Sequence, residues 1–142
     1  MYKFVLFDFD GTVFDTVEGI TKSVRYALNK RGMDAELESL RCFAGPPLGQ
    51  TFMEQFGYTE EEARQAVKDY RERYIPIGLY ECSPFEGMKE LLERLRQEGV
   101  KLGIATLKPL YMARTLLEKE DMLRLFHVSC GADPDKMHET KA

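Results

Sequence analysis

Paired cysteines are missing from this 142-residue sequence. Cys42, Cys82 and Cys130 are odd in number and far apart, so no two have the spacing of a zinc knuckle or a redox pair. Buried or half-buried free thiols in a reducing compartment are the plain reading. Histidine is scarce: His127 and His138 are the only two, and neither sits in a setting that suggests a Ser-His-Asp or His-metal site. His127 lies in a mostly apolar stretch and reads as a strand residue. Positive charge is not in excess, and a net charge of -4 argues against non-specific nucleic-acid binding. Long apolar runs are also lacking. Phe4 to Phe7 is far too short to cross a bilayer, and residues 1 to 15 carry Asp8, Asp10 and Asp15, unlike a secretory signal. These absences predict no nucleic-acid partner, no membrane partner and, by default, a cytoplasmic location.

What is present is the balance of a globular protein, with 44% hydrophobic and 31% charged residues. That length suits one domain, or a small core with a smaller lid. Phe4-Val5-Leu6-Phe7 is a run of β-formers followed by acidic residues and Gly11, which predicts a strand buried on both faces of a parallel sheet. Asp15-Thr16 offers N-cap chemistry for a helix to about Lys30, closed by Gly32. Ala35 to Ile77 reads as mainly helical, broken by a loop at Gly45-Pro46-Pro47-Leu48-Gly49, with a capping box at Thr59 and Glu62. Pro84 to Gly87 reads as a second loop. Met88, Leu91, Leu92 and Leu95 mark an amphipathic helix closed by Gly99. Val100 to Thr106 is the second strand, Met112 to Lys119 a helix, and Phe126 to Cys130 a third strand ended by Gly131. The pattern predicts an α/β fold with an inserted helical module.

The chemistry gathers at the end of the first strand. In α/β sheets ligands bind at the carboxyl ends of the strands. Asp8 and Asp10 are separated by one residue, so strand alternation would point both to the same side, and Gly11 permits a sharp exit. Carboxylates placed there suit Mg²⁺, a hard cation that prefers oxygen ligands. One of them can attack a phosphoryl group, while the other protonates the leaving oxygen and later activates water. Thr12 and the backbone N–H groups around Gly11 can bind phosphate oxygens. The competing reading is an Asp-containing turn that merely ends a strand.

The segment Phe7-Asp8-Phe9-Asp10-Gly11-Thr12-Val13-Phe14-Asp15-Thr16 resembles the first motif of the haloacid dehalogenase-like phosphatases. Leu102-Gly103-Ile104-Ala105-Thr106 resembles their second motif. Ala44-Gly45-Pro46-Pro47-Leu48 and Thr106-Leu107-Lys108-Pro109 are similar to the subgroup around phosphoglycolate phosphatases and related nucleotidases. The resemblance implies a Rossmann-like parallel sheet core, formed by residues 1–15 and 85–142, with an all-helical cap at 16–84 that closes over the substrate. It implies that Asp8 is the nucleophile and a Mg²⁺ ligand. Asp10 is then the general acid/base and second Mg²⁺ contact through its carbonyl, and Thr106 bonds the transferring phosphoryl group. Gly11, Thr12, Leu107 and Lys108 would line the substrate, a small phosphorylated metabolite, and the Gly45-Pro46-Pro47 loop would face the cleft.

Such relatives also use a charge-balancing lysine and a later acidic motif. Gly131-Ala132-Asp133 resembles the segment before that lysine, which makes Lys141 the first candidate and Lys108 the second. The acidic motif does not occur before Ala142. Part of the core is therefore expected to be missing, and the first strand is expected to form an edge that invites a second copy or a partner chain. Reduced turnover is expected too, since Mg²⁺ ligands are lost. A remnant acting as a binding module, and a phosphotransferase or mutase using the same aspartate pair, are the alternatives.

Overall fold

The computed structural model describes residues 3–132. Lys141, Asp133, Asp135 and His138 lie outside the described residues. In chain order the elements are β1 (Phe4–Phe7), β2 (Phe14–Asp15), α1 (Val17–Lys30), α2 (Leu48–Phe56), α3 (Glu60–Tyr74), β3 (Ser83–Pro84), α4 (Met88–Gln97), β4 (Lys101–Pro109), α5 (Leu110–Lys119) and β5 (Val128–Ala132). Short 3₁₀ segments at Leu37–Phe43, Gly78–Tyr80 and Leu123–Leu125 join them. Two compact units result: Met1–Asp15 with Ser83–Ala142, and Thr16–Cys82.

The first unit is the α/β one. Its main sheet has the order β1-β4-β5, parallel throughout, with Phe7 opposite Ile104 and Ala105 opposite Cys130. Helices α4 and α5 pack on β4, and α5 also meets β5. Leu92, Leu102, Ile104, Leu116 and Leu117 are fully or almost fully buried and form its core. The amphipathic helix α4 ends where the repeat predicted. Gly99 takes a left-handed φ of 84°, and the Val100 N–H donates to the Leu95 carbonyl behind it.

The second unit is helical, as its composition indicates. Helix α1 packs against α3 and the first 3₁₀ segment, and α2 packs on α3. Phe43, Phe52, Phe56 and Tyr58 form an aromatic cluster with ring centroids 4.8–6.4 Å apart. The capping box at the head of α3 is complete. The Glu62 N–H donates to Thr59 Oγ1 at 3.2 Å, and the Thr59 N–H donates to Glu62 Oε1 at 3.0 Å.

Several expectations need correction. β1 is not buried on both faces: Phe4 is 46% and Leu6 53% exposed, because no described element covers that side of the strand. β1 is also one edge of the sheet among the described residues. Thr16 is the N-cap residue of α1, but its side chain makes no capping bond; its φ and ψ of -106° and 6° are not the extended values that a capping side chain needs. Leu48 and Gly49 belong to α2 rather than to the preceding loop. Pro84 is not loop but strand: with Ser83 it pairs antiparallel with Phe14 and Asp15. Cys42 and Cys130 are exposed, and only Cys82 is half-buried. Lys108 and Pro109 extend β4, and Gly131 continues β5 instead of ending it. His127 falls just before β5, where its Nδ1 accepts the Leu102 N–H at 3.2 Å.

Candidate active site

Parallel pairing sets the site at one end of the sheet. Asp8 follows Phe7, whose partner Ile104 is followed by Ala105 and Thr106. The first and second motifs therefore emerge side by side at the carboxyl ends of adjacent strands, where α/β sheets bind ligands.

Past β1 the chain folds into a tight turn. The Phe9 carbonyl accepts from the N–H groups of Thr12, Val13 and Phe14 at 3.2, 3.0 and 3.2 Å, and the Gly11 N–H returns to the Phe14 carbonyl at 2.9 Å. Gly11 has a φ of 78°, which favours glycine there. Phe9 and Phe14 stack at 4.9 Å and both are buried, as is Val13, so the turn is anchored by apolar weight as well as by hydrogen bonds. β2 leads out of it onto β3, and the Phe85 N–H closes on the Val13 carbonyl at 3.1 Å. These anchors hold the turn of the candidate site, and sequence reasoning missed them; the signal available was the apolar pair Val13-Phe14 directly after Gly11-Thr12.

The turn, rather than strand alternation, places the two aspartates, since β1 stops at Phe7. Their surroundings differ. Asp8 is exposed, and its Oδ1 accepts the Phe9 N–H at 2.8 Å. The Asp10 side chain is only 9% exposed, and its Oδ1 lies 3.3 Å from Lys108 Nζ. Lys108 is itself buried. One carboxylate is thus open to solvent and the other is enclosed against an ammonium group.

Lys108 reaches Asp10 because β4 bulges. Between the pairs Ala105–Cys130 and Pro109–Ala132, the residues Thr106, Leu107 and Lys108 stand opposite the single Gly131. Bulges re-aim side chains in this way. Within the bulge the Lys108 N–H donates to Thr106 Oγ1 at 3.1 Å. A hydroxyl that accepts in this manner keeps its own O–H as a donor. Thr106 is buried, Leu107 half-buried, and Gly11 and Thr12 are exposed. The structure thus brings Asp8, Asp10, Gly11, Thr12, Thr106, Leu107 and Lys108 into one unit. Among the described residues no three Asp, Glu, His or Cys converge as a metal-binding group. Magnesium asks for less, since it keeps several waters and is held by one or two protein carboxylates with substrate phosphate. The exposed Asp8 carboxylate fits that demand, and the enclosed Asp10 carboxylate lies against Lys108.

The family model for haloacid dehalogenase-like hydrolases matches residues 5–141. The chain belongs to that family. Three relatives place this haloacid dehalogenase-like chain further. A 5'-nucleotidase of Pseudomonas aeruginosa is 44% identical over 135 residues, covering 94% of this chain and 61% of the relative. A protein named tyrosine-protein kinase PtkA of Mycobacterium tuberculosis is 36% identical over 140 residues, covering 98% of this chain and 47% of that one. The crystal structure of a predicted phosphatase from Clostridium acetobutylicum superposes with a TM-score of 0.91 at 40% identity, covering 95% of this chain and 63% of that chain. The chain therefore spans between about half and two thirds of the length of the relatives it matches. The α/β class and the family resemblance both hold. No helix among the described residues is long and apolar enough to cross a membrane.

Proposed function

We propose that this haloacid dehalogenase-like chain acts as a Mg²⁺-dependent phosphomonoester hydrolase on a small phosphorylated metabolite, through an aspartyl-phosphate on Asp8. The observation that carries the reading is the contrast between two carboxylates in one turn: Asp8 exposed at a strand's carboxyl end, Asp10 enclosed and held by Lys108.

An Asp8 oxygen bonds to phosphorus as the bond to the leaving oxygen breaks, and Asp10 gives its proton to that oxygen, releasing the alcohol. Asp10, now a carboxylate, takes a proton from the incoming water. The water oxygen bonds to phosphorus, the Asp8–phosphorus bond breaks, and inorganic phosphate leaves. The Thr106 hydroxyl and the N–H groups at Gly11 and Thr12 are assigned to the phosphoryl oxygens. Mg²⁺, held by the Asp8 carboxylate and the Asp10 carbonyl, would offset charge on those oxygens. Substrate choice is assigned to the helical unit, proposed as the cap, because the α/β unit accounts only for the phosphoryl group. A second copy or a partner chain is proposed to cover the β1 edge.

Phosphate release from a panel of phosphomonoesters, with and without Mg²⁺, tests the reading. Activity that depends on Mg²⁺ and disappears in Asp8→Asn is expected. A folded chain that releases no phosphate, yet binds beryllium fluoride at Asp8, would leave a binding module in place of an enzyme.

The relative named as a tyrosine kinase favours one second reading, in which the phosphoryl group on Asp8 passes to a hydroxyl other than that of water. Label transferred from substrate to an acceptor, without matching release of inorganic phosphate, would establish it.

A further inference from the structure

We infer that Lys108 is a positioning residue that holds Asp10 for the second half of the reaction, the attack of water on the aspartyl-phosphate. This inference rests on the hydrolase reading above.

Three observations carry it. Lys108 Nζ lies 3.3 Å from Asp10 Oδ1, with the two side chains only 6% and 9% exposed. A buried ammonium and a buried carboxylate do not part cheaply, because separating opposite charges costs more in a low-dielectric surrounding than at the surface. The pair is therefore a geometric constraint on the Asp10 side chain, in contrast to a surface ion pair. Next, the lysine is delivered by a built feature. The bulge at Thr106-Leu107-Lys108 stands opposite Gly131, where a Cβ would come within 2.8 Å of the Leu110 Cα. Glycine at that position lets α5 start close against β5 while the bulge turns Lys108 inward. Finally, the Thr106 hydroxyl accepts the Lys108 N–H at 3.1 Å, so the phosphoryl-binding candidate and the lysine share one local fold.

With its Oδ1 against Lys108 Nζ, the Asp10 carboxyl group is held in one orientation, and a fixed orientation is what the group that takes a proton from the attacking water requires. The geometry thus gives Lys108 work on Asp10, different from contact with substrate. Breakdown of the aspartyl-phosphate is the step that depends on it most. Formation, when the leaving group is nitrophenolate, needs no proton from Asp10.

The test compares the whole chain with Lys108→Met and Lys108→Arg, using p-nitrophenyl phosphate and intact-mass detection of phosphorylated Asp8 after rapid acid quench. In Lys108→Met, kcat is expected to fall by up to about a hundredfold, the lower end of a general base's contribution. KM should not rise, and the phosphorylated fraction should exceed that of the wild type. Lys108→Arg should recover most of the kcat. A raised KM with no accumulation of phosphorylated chain would assign Lys108 to substrate binding and overturn the inference. A fall in kcat with less phosphorylated chain would overturn it as well. Should Lys108→Met not fold, Lys108→Gln, which keeps an N–H donor, is read by the same criteria. A wild-type chain that turns over nothing defeats the hydrolase reading. The pair is then read from the thermal midpoints of Lys108→Met, Asp10→Asn and the double variant: non-additive shifts support the constraint, and additive shifts overturn it.

Discussion

At the scale of single residues, the site depends on a few positions where no other side chain fits. Gly131 is one. An added Cβ would meet the Leu110 N, Cα and Cβ within 2.8–2.9 Å, and two of those are backbone atoms that cannot rotate away. Gly131→Ala should therefore destabilise the chain by about 1–3 kcal/mol, the usual cost of overpacking, as measured by urea unfolding. Any residual activity should fall with it, since the same strand faces the bulge that carries Thr106 and Lys108. Asp8 and Asp10 are legible in the sequence because their residue types and spacing suggest a phosphotransfer chemistry, and Thr106 through the resemblance to the family's second motif. The partnership of Lys108 with Asp10 is not. The two are far apart along the chain, and their contact exists only after β1 and β4 pair in parallel and β4 bulges.

At the scale of elements, local sequence signals succeeded where the interaction is itself local. The capping box of α3 joins residues three apart, and both of its hydrogen bonds form. Thr59→Ala should cost about 1 kcal/mol, typical for an N-cap, seen as a lower thermal midpoint with the helix content otherwise kept. The end of α3 offers a pH prediction. Arg73 donates to Glu81 at 2.8 and 3.2 Å, and these bonds, with the charges of Arg73 and Lys22, hold the Glu81 carboxyl below its ordinary value of 4.5. A carboxyl depressed on folding adds stability above its unfolded value, and that stability is lost as pH falls through the folded value. Unfolding midpoints should therefore drop on acidification below pH 4.5, and Glu81→Gln should flatten that part of the profile. Where element reading failed, the cause was non-local. β3 and the extension of β4 past Thr106 are strands only because Phe14–Asp15 and β5 lie alongside them. Pro84 made the first segment look like a loop on local grounds.

At the scale of the whole molecule, the open side of β1 is the feature with consequences for assembly. Phe4, Leu6 and Val128 crowd over Gly103, where an added Cβ would meet all three side chains within 3.0 Å, and yet each is more than two fifths exposed. If a second copy covers this surface, sedimentation should show mass rising with concentration for the wild type, and Leu6→Lys should remain monomeric over the same range. A wild type that stays monomeric throughout would discard the second copy. By itself the sequence determined what depends on neighbours along the chain: the apolar strands, the amphipathic helices with their glycine and Thr59 caps, and the acidic turn on which the proposed chemistry rests. Only the tertiary structure decided which face of β1 stays uncovered, that Asp8 is open while Asp10 is enclosed, and that Lys108 stands against Asp10. Those outcomes follow from strand register and from burial, and both depend on pairing between residues that the chain keeps nearly a hundred positions apart.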